Sequence, residues 1–227
     1  MITGKPHQVA IKSIFAIFGI YPANLRRYQK LVQFEKKWSS WIIKNKLASP
    51  PPTEAKHLVL ERYHIQDAVW LETGTFKGDT TRFLAGISPR VISIEPSDFY
   101  FREATKRLSD LPNVELIKGS SQDCLERLLK KLAGKDVCLW LDGHWSGDET
   151  YCGQEETPVL SELDTIEKLQ GRFPGLVVLI DDYRLCWSSP KSYPKPQYYI
   201  NWAERNRLNW LVEQDIFVAT KTPLPLS

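Results

Sequence analysis

The segment Val69-Trp-Leu-Glu-Thr-Gly-Thr-Phe-Lys-Gly-Asp-Thr80 carries the strongest structural signal in this chain. Its apolar run ends in Glu72, and Gly74 and Gly78 follow four residues apart, ahead of the helix-like stretch Thr80-Thr-Arg-Phe-Leu-Ala85. This order predicts a buried strand, a tight turn and the start of a helix. Glycines at such a turn let the backbone approach a ligand, and open α/β sheets bind ligands at the carboxyl ends of their strands. The alternative is a tight connection that binds nothing.

The composition fits one globular domain with an extension. The 227 residues are 42% hydrophobic and 25% charged, which argues against global disorder. Residues 1–56 contain ten Lys and Arg but two acidic residues, whereas the rest contains twenty Lys and Arg against twenty-five Asp and Glu. This asymmetry predicts a basic N-terminal arm on a mildly acidic domain. The arm is either a solvated helical element or a contact for an anionic membrane surface or an acidic partner.

The proline run Ser49-Pro-Pro-Pro-Thr53 marks the predicted domain boundary, because three prolines cannot continue a helix. We therefore predict a basic helical extension over residues 1–52, with an amphipathic helix over residues 24–47, and a second domain over residues 53–227. The apolar stretch at residues 13–21 is too short to span a bilayer and lacks a small-x-small cleavage site. Four cysteines without metal-ligand spacing favour a reducing compartment, so we expect a cytoplasmic protein.

Beyond residue 53, short apolar runs alternate with helical patterns. This alternation predicts an α/β fold of the Rossmann-like, doubly wound type, with a mostly parallel sheet covered on both faces and a C-terminal antiparallel strand. The predicted strands are residues 68–71, 91–94, 114–117, 137–141, 176–180 and 215–220, and the predicted helices begin near residue 80 and cover residues 123–132, 158–169 and 201–212.

Polar residues follow the predicted second and third strands. Glu95 ends the second strand about 20 residues after Gly74, which is where nucleotide-binding folds place a carboxylate for ribose hydroxyls. Ser121 and Asp123 follow the third strand. Either these two residues meet the edge of an adenine ring, or Ser120 or Ser121 caps the next helix.

Three aspartates end the predicted fourth and fifth strands: Asp142, Asp181 and Asp182. Neighbouring parallel strands would bring them together, and ionised carboxylates at close range repel unless a cation joins them. An all-oxygen cluster suits Mg²⁺, Mn²⁺ or Ca²⁺, while the alternative is that the aspartates cap helices or bridge loops. His144 lies on the same turn as Asp142, and its side chain suits proton abstraction near neutral pH.

Four motifs together resemble class I S-adenosylmethionine-dependent methyltransferases, and more narrowly the branch of macrocin-type sugar O-methyltransferases. They are Glu72-Thr-Gly-Thr-Phe-Lys-Gly78, Ile94-Glu95, Leu141-Asp-Gly-His-Trp-Ser146 and Ile180-Asp-Asp-Tyr183. The resemblance covers roughly residues 60–220. It implies a seven-stranded sheet with S-adenosylmethionine as cofactor.

The resemblance also implies roles for individual residues. Glu72, Gly74 and Gly78 would surround the methionine end of the cofactor, Thr75 would also bind the cofactor, and Glu95 would hold its ribose. The residues that would bind Mg²⁺ or Mn²⁺ are Asp142, Asp181 and Asp182, with His144 as the base beside Asp142. Two departures stand out: Phe76 replaces the middle glycine of the common pattern, and close relatives more often carry Asp where this chain has His144.

The expected activity is methyl transfer to a hydroxyl of a sugar, glycan or natural product, with metal assistance. The segment 186–199, rich in tryptophan, tyrosine and proline, is a candidate acceptor wall. We expect no nucleic-acid partner, and a homo-oligomer stays open. Two rival functions are an NAD-dependent oxidoreductase, whose Gly-x-Gly-x-x-Gly fingerprint Phe76 interrupts, and a non-catalytic binder of S-adenosylmethionine.

Overall fold

The computed structural model describes residues 33, 35–44, 46, 49–143, 157–188 and 193–223. The chain divides into two units, Met1–Ala48 and Ser49–Ser227. In the first unit, residues 35–39 are helical and continue into the π-helical turn Ser40–Lys44, where Trp41 is buried. Most of the helix predicted over residues 24–47 lies outside the described residues, and the boundary predicted at residue 52 stays a prediction.

The second unit is built on a seven-stranded sheet of order β3-β2-β1-β4-β5-β7-β6. Strands β1 to β5 pair in parallel, while β7 pairs antiparallel with both β5 and β6. This arrangement confirms the predicted Rossmann-like, mostly parallel sheet. The strands are β1 Val69–Thr73, β2 Arg90–Glu95, β3 Val114–Lys118, β4 Val137–Leu141, β5 Leu176–Ile180, β6 Asn209–Glu213 and β7 Ile216–Thr220.

Seven α-helices of this unit lie within the described residues, and a short 3₁₀ helix, Gln170–Arg172, follows the fifth of them. The α-helices are α1 Thr53–Arg62, α2 Asp79–Ile87, α3 Asp98–Arg107, α4 Ser121–Lys131, α5 Val159–Leu169, α6 Leu185–Ser188 and α7 Pro196–Arg205. Within the part of the chain that the structure describes, no helix combines the length and apolar character that crossing a membrane requires.

Hydrophobic clusters cover both faces of the sheet. On β1, Leu71 faces a cluster with α4, α5 and α7, whereas Trp70 faces a second cluster with Leu60 of α1 and Leu84 of α2. Successive strand residues point to opposite faces, so a strand buried on both sides is apolar at every position. This explains why the central strands are continuous apolar runs.

The helix predicted over residues 201–212 was wrong in its second half. Helix α7 begins at Pro196 and ends at Arg205, and residues from Asn209 onward form strand β6. The reason is a two-residue hairpin turn at Gln214-Asp215, where both residues have positive φ, as a type I′ turn requires. Pairing with β7 overrides the helical spacing of the apolar residues.

The two glycines of the opening motif are each required by close contact with a different neighbour. Gly74 has φ +90°, and a Cβ added there would lie 2.5 Å from the backbone oxygen of Asp142. Gly78 has φ +76°, and its Cβ would lie 2.9 Å from the Leu108 side chain. Gly74 therefore lets the turn after β1 approach the backbone at the end of β4, and Gly78 lets α2 start beside α3.

We expect Gly74→Ala to lower the free energy of unfolding by at least about 2 kcal/mol, because Ala strains a left-handed backbone and meets a backbone atom that cannot move aside. Gly86→Ala in α2 is the matched control: nothing lies within 4 Å of its added Cβ. That variant should gain about 0.5–1 kcal/mol. Urea denaturation of both variants tests the pair, and equal effects would contradict the close approach at Gly74.

Candidate functional site

Glu72 is a buried carboxyl beneath the glycine turn, with 1% of its surface exposed. The hydroxyls of Thr81 and Ser93 donate to its Oε2 at 2.5 Å and 2.6 Å, and Thr75 lies 2.5 Å from Ser93 through their hydroxyl oxygens. Its Oε1 has no hydrogen-bond partner within the described residues. Burial raises the pKa of Glu72 to about 8. The site thus holds a largely neutral carboxyl, one buried oxygen of which has no hydrogen-bond partner within the described residues.

Glu95 stands at the end of β2, where the sequence places it, and it joins two loops. Its Oε2 accepts the backbone N–H of Phe76 at 2.7 Å, and its Oε1 accepts that of Ser97 at 2.8 Å. Burial raises the pKa of Glu95, although both N–H groups and Lys118 oppose the shift. Each carboxylate oxygen has a second lone pair, so Glu95 can hold the turn after β1 and still accept hydroxyl hydrogen bonds.

Ser120 caps the helix after β3, and Asp123 lies in the first turn of that helix. Ser120 accepts the backbone N–H of Asp123 at 3.2 Å, and its hydroxyl donates to Asp123 Oδ2 at 2.6 Å. Ser120 is therefore the helix cap that the capping alternative describes. Ser121 is buried at the first position of α4. Contact of either residue with an adenine ring stays a prediction.

Glu162 is a site residue that sequence reasoning missed. It lies on α5 with 2% of its surface exposed, and its Oε1 has no partner within the described residues. Burial raises the pKa of Glu162 to about 7, although a hydrogen bond from Ser121 lowers it. A signal was available, because Glu162 interrupts the apolar stripe that Val159, Leu163 and Ile166 form at helical spacing.

The structure brings the three predicted aspartates together. Leu141 of β4 pairs with Ile180 of β5, so Asp142 and Asp181 follow neighbouring strands at the same level. With Asp182, each offers a carboxylate oxygen, and these atoms lie within 4.8 Å of one another. We call these three residues the acidic cluster.

Two cationic side chains reach the acidic cluster, and neither was predicted. Lys56 Nζ lies 2.5 Å from Asp181 Oδ2 and 3.3 Å from Asp182 Oδ1. Arg184 Nη1 lies 2.7 Å from Asp182 Oδ1 and also pairs with Asp215. No sequence signal marks Lys56, because it precedes Asp181 by 125 positions.

The charges of the acidic cluster shift one another's pKa. Burial raises the pKa of Asp181 above its ordinary range, with a further contribution from Asp142, while Lys56 opposes the shift. Burial lowers the pKa of Lys56, but Asp181 and Asp182 outweigh it, so the net shift is upward. Lys56 is therefore an ammonium ion at neutral pH.

A small cleft opens beside the acidic cluster. Its polar lining comes from Asp142, Thr157, Glu162, Asp181 and Tyr193. Burial and the nearby Asp182 raise the pKa of the Tyr193 hydroxyl. The cleft thus offers hydroxyl and carboxyl groups at the ends of β4 and β5.

The candidate acceptor wall reaches this cleft through Tyr193. Two other aromatic residues of the segment lie elsewhere: Tyr199 is buried against Phe217, and Trp187 is 72% exposed. His144 lies outside the described residues, so its role as base stays a prediction.

Comparison with known proteins bears on the fold. No protein-family model and no curated protein matches the chain. Among solved structures, a protein assigned as a methyltransferase from Streptococcus mutans, in complex with SAH, has a TM-score of 0.53 at 15% identity, covering 74% of this chain and 96% of its own. A protein assigned as an rRNA methylase from Clostridium thermocellum has a TM-score of 0.51 at 16% identity, covering 74% and 95%. The chain has the class I methyltransferase fold. The macrocin-type branch is not resolved by these similarities.

The buried Glu72 predicts a pH dependence of stability. Its pKa rises from an ordinary 4.5 to about 8 on folding, so the native state binds more protons than the unfolded state between these values. Native stability therefore falls as pH rises from 5 to 8, by up to about 1.4 kcal/mol per pH unit from this group.

Glu72→Gln should remove that contribution, so the variant should gain stability relative to the original protein as pH rises through this range. Urea denaturation at several pH values measures the difference. The matched control is Glu61→Gln at an exposed position of α1, whose profile should run parallel to that of the original protein. A Glu72→Gln profile that also runs parallel would contradict the buried neutral carboxyl.

Proposed function

We propose that this chain is an S-adenosylmethionine-dependent methyltransferase that methylates a hydroxyl group. One observation carries the proposal: Glu95, at the end of β2, is hydrogen-bonded to the backbone of the turn that follows Gly74, on a sheet with the class I methyltransferase fold. Acid and turn therefore form one unit at the sheet edge where such folds bind their ligands. The S. mutans structure of the same fold is in complex with SAH.

The proposed cofactor position uses both acidic strand ends. Glu95 would accept the ribose hydroxyls, and the free Oε1 of Glu72 would lie near the methionine end, together with Gly74, Thr75 and Gly78. Ser121 and Asp123 would lie near the adenine ring. S-adenosylmethionine carries a sulfonium and an ammonium group, so its positive charge would complement an edge lined with carboxyl groups.

The proposed acceptor site is the cleft beside the acidic cluster. Hydroxyls donate hydrogen bonds to carboxylates, so Asp142 and Asp181 suit a sugar, glycan or natural-product acceptor. The acceptor oxygen would attack the methyl carbon as the carbon–sulfur bond breaks, leaving S-adenosylhomocysteine. His144 would take the hydroxyl proton, and the protein's main task would be to align the three reacting atoms.

The predicted Mg²⁺ does not fit the acidic cluster as the side chains stand. Three carboxylates are suitable donors. However, Lys56 already contacts Asp181 Oδ2 and Asp182 Oδ1, and Arg184 contacts the same Asp182 oxygen. A divalent ion would have to displace them, so our mechanism contains no step through a metal.

Glu95→Gln tests cofactor binding. The amide should weaken S-adenosylhomocysteine binding by about 1.5–3 kcal/mol, because it replaces a charged acceptor of ribose hydroxyls. Isothermal titration calorimetry measures the change, and Glu115→Gln on the exposed surface of β3 is the matched control. Circular dichroism checks folding, since Glu95 also holds two backbone N–H groups. Unchanged S-adenosylhomocysteine affinity in the folded variant would refute the assignment. If the original protein binds NAD more tightly than S-adenosylhomocysteine, the oxidoreductase function is favoured instead.

His144→Ala tests the chemistry. With methyl-labelled S-adenosylmethionine and a panel of vicinal-diol glycosides, we expect label on an acceptor hydroxyl, and a single-turnover rate about 10²–10⁴-fold lower in the variant. S-adenosylhomocysteine affinity should be unchanged. His7→Ala in the basic N-terminal extension is the control. Cofactor binding without transfer to any acceptor would favour the non-catalytic binder, and label on RNA alone would overturn the acceptor class.

A further inference from the structure

The acidic cluster needs positive charge to be stable. Asp181 and Asp182 are 7% and 6% exposed, and Asp142 lies close to both. Carboxylates at this distance repel one another, and removal from water makes the repulsion stronger. Either protons, a bound metal ion or a cationic side chain must offset it.

The fold supplies a cationic side chain from α1. Lys56 lies three residues before Val59 and four before Leu60, and both are buried in the core. Residues at these spacings share one face of a helix. The Lys56 side chain therefore starts from the core-facing side of α1, and 17% of it is exposed. Its position follows from the packing of α1 against the sheet.

Lys56 and Arg184 both pair with Asp182, and each pairs with one further aspartate. Arg184 pairs with Asp182 and Asp215, and Lys56 pairs with Asp181 and Asp182. Lys56 contacts Oδ2 of Asp181 and Oδ1 of Asp182, and Asp181 Oδ1 already accepts the backbone N–H of Asp182 at 2.7 Å. Within the described residues, neither oxygen of Asp181 is without a donor.

We propose that the Lys56 ammonium is the resident cation of the acidic cluster and keeps divalent metal ions out of it. A cation tethered to α1 loses no translational freedom when it occupies the site, whereas a free ion must displace it and shed water. The chain would therefore hold its three aspartates together without a metal. This inference goes beyond the proposed function and does not require methyl transfer.

Mn²⁺ binding tests the proposal directly. Electron paramagnetic resonance of free Mn²⁺ should show no saturable site on the original protein up to about 1 mM, a range in which weak oxygen-ligand sites fill. The Lys56→Met variant should bind one Mn²⁺ per chain with a dissociation constant at least about tenfold below this limit of about 1 mM. The added substitution Asp181→Asn should abolish this binding. Lys130→Met is the matched control, because Lys130 forms an exposed ion pair with Glu126, and it should behave as the original protein does.

Thermal unfolding gives a second readout. Without metal, Lys56→Met should melt at a lower temperature than the original protein, and Mn²⁺ should raise its melting temperature but leave that of the original protein unchanged. Lys56→Arg retains the charge and should keep both the stability and the exclusion of Mn²⁺. These measurements need neither cofactor nor acceptor, so they are independent of whether the chain transfers methyl groups.

Either of two results would overturn the proposal. One is a stoichiometric Mn²⁺ site on the original protein that Asp181→Asn removes, which would show that the metal displaces Lys56. The other is a folded Lys56→Met variant that binds no Mn²⁺, which would show that Lys56 is not what keeps metal out. If Lys56→Met fails to fold, the first measurement on the original protein and the Lys56→Gln variant still decide.

Discussion

The main constraint on this structure is that several carboxyl groups lie together at one buried edge of a parallel sheet. Glu72 and Glu95 lie at the ends of β1 and β2, and Asp142 and Asp181 follow β4 and β5. Because these strands run in the same direction side by side, their carboxyl ends meet. Ionised carboxylates at such an edge repel one another and lose hydration, so each must be protonated, hydrogen-bonded or paired with a cation.

Within the described residues, these carboxyl groups are stabilised in three ways. Glu72 and Glu162 remain protonated to higher pH, since burial raises their pKa to about 8 and about 7. Glu95 accepts two backbone N–H groups. The acidic cluster takes two cationic side chains, Lys56 and Arg184. The groups therefore differ in chemical state: Glu72 and Glu162 are neutral acids, Glu95 is a hydrogen-bonded carboxylate, and the acidic cluster is a set of ion pairs.

These differences matter for the proposed function. A cationic cofactor could draw a proton away from Glu72, because a nearby positive charge favours the ionised form of a carboxyl. Glu95 offers the remaining lone pairs of an already oriented carboxylate, so binding needs little rearrangement there. Asp142 and Asp181 of the acidic cluster line the cleft proposed for the acceptor, where they would set the polarity that an acceptor hydroxyl meets.

The sequence by itself determined the parallel core, because strands buried on both faces must be apolar at every position and their turns need glycine. It also placed Glu95, Asp142, Asp181 and Asp182 at strand ends, since parallel strands bring equivalent ends together. Tertiary structure alone decided β6, where hairpin pairing with β7 overrides local helical spacing. Tertiary structure alone also decided where the Lys56 ammonium lies. The position of that ammonium depends on how α1 packs across the sheet, and no local pattern in the chain encodes a contact between residues 125 positions apart.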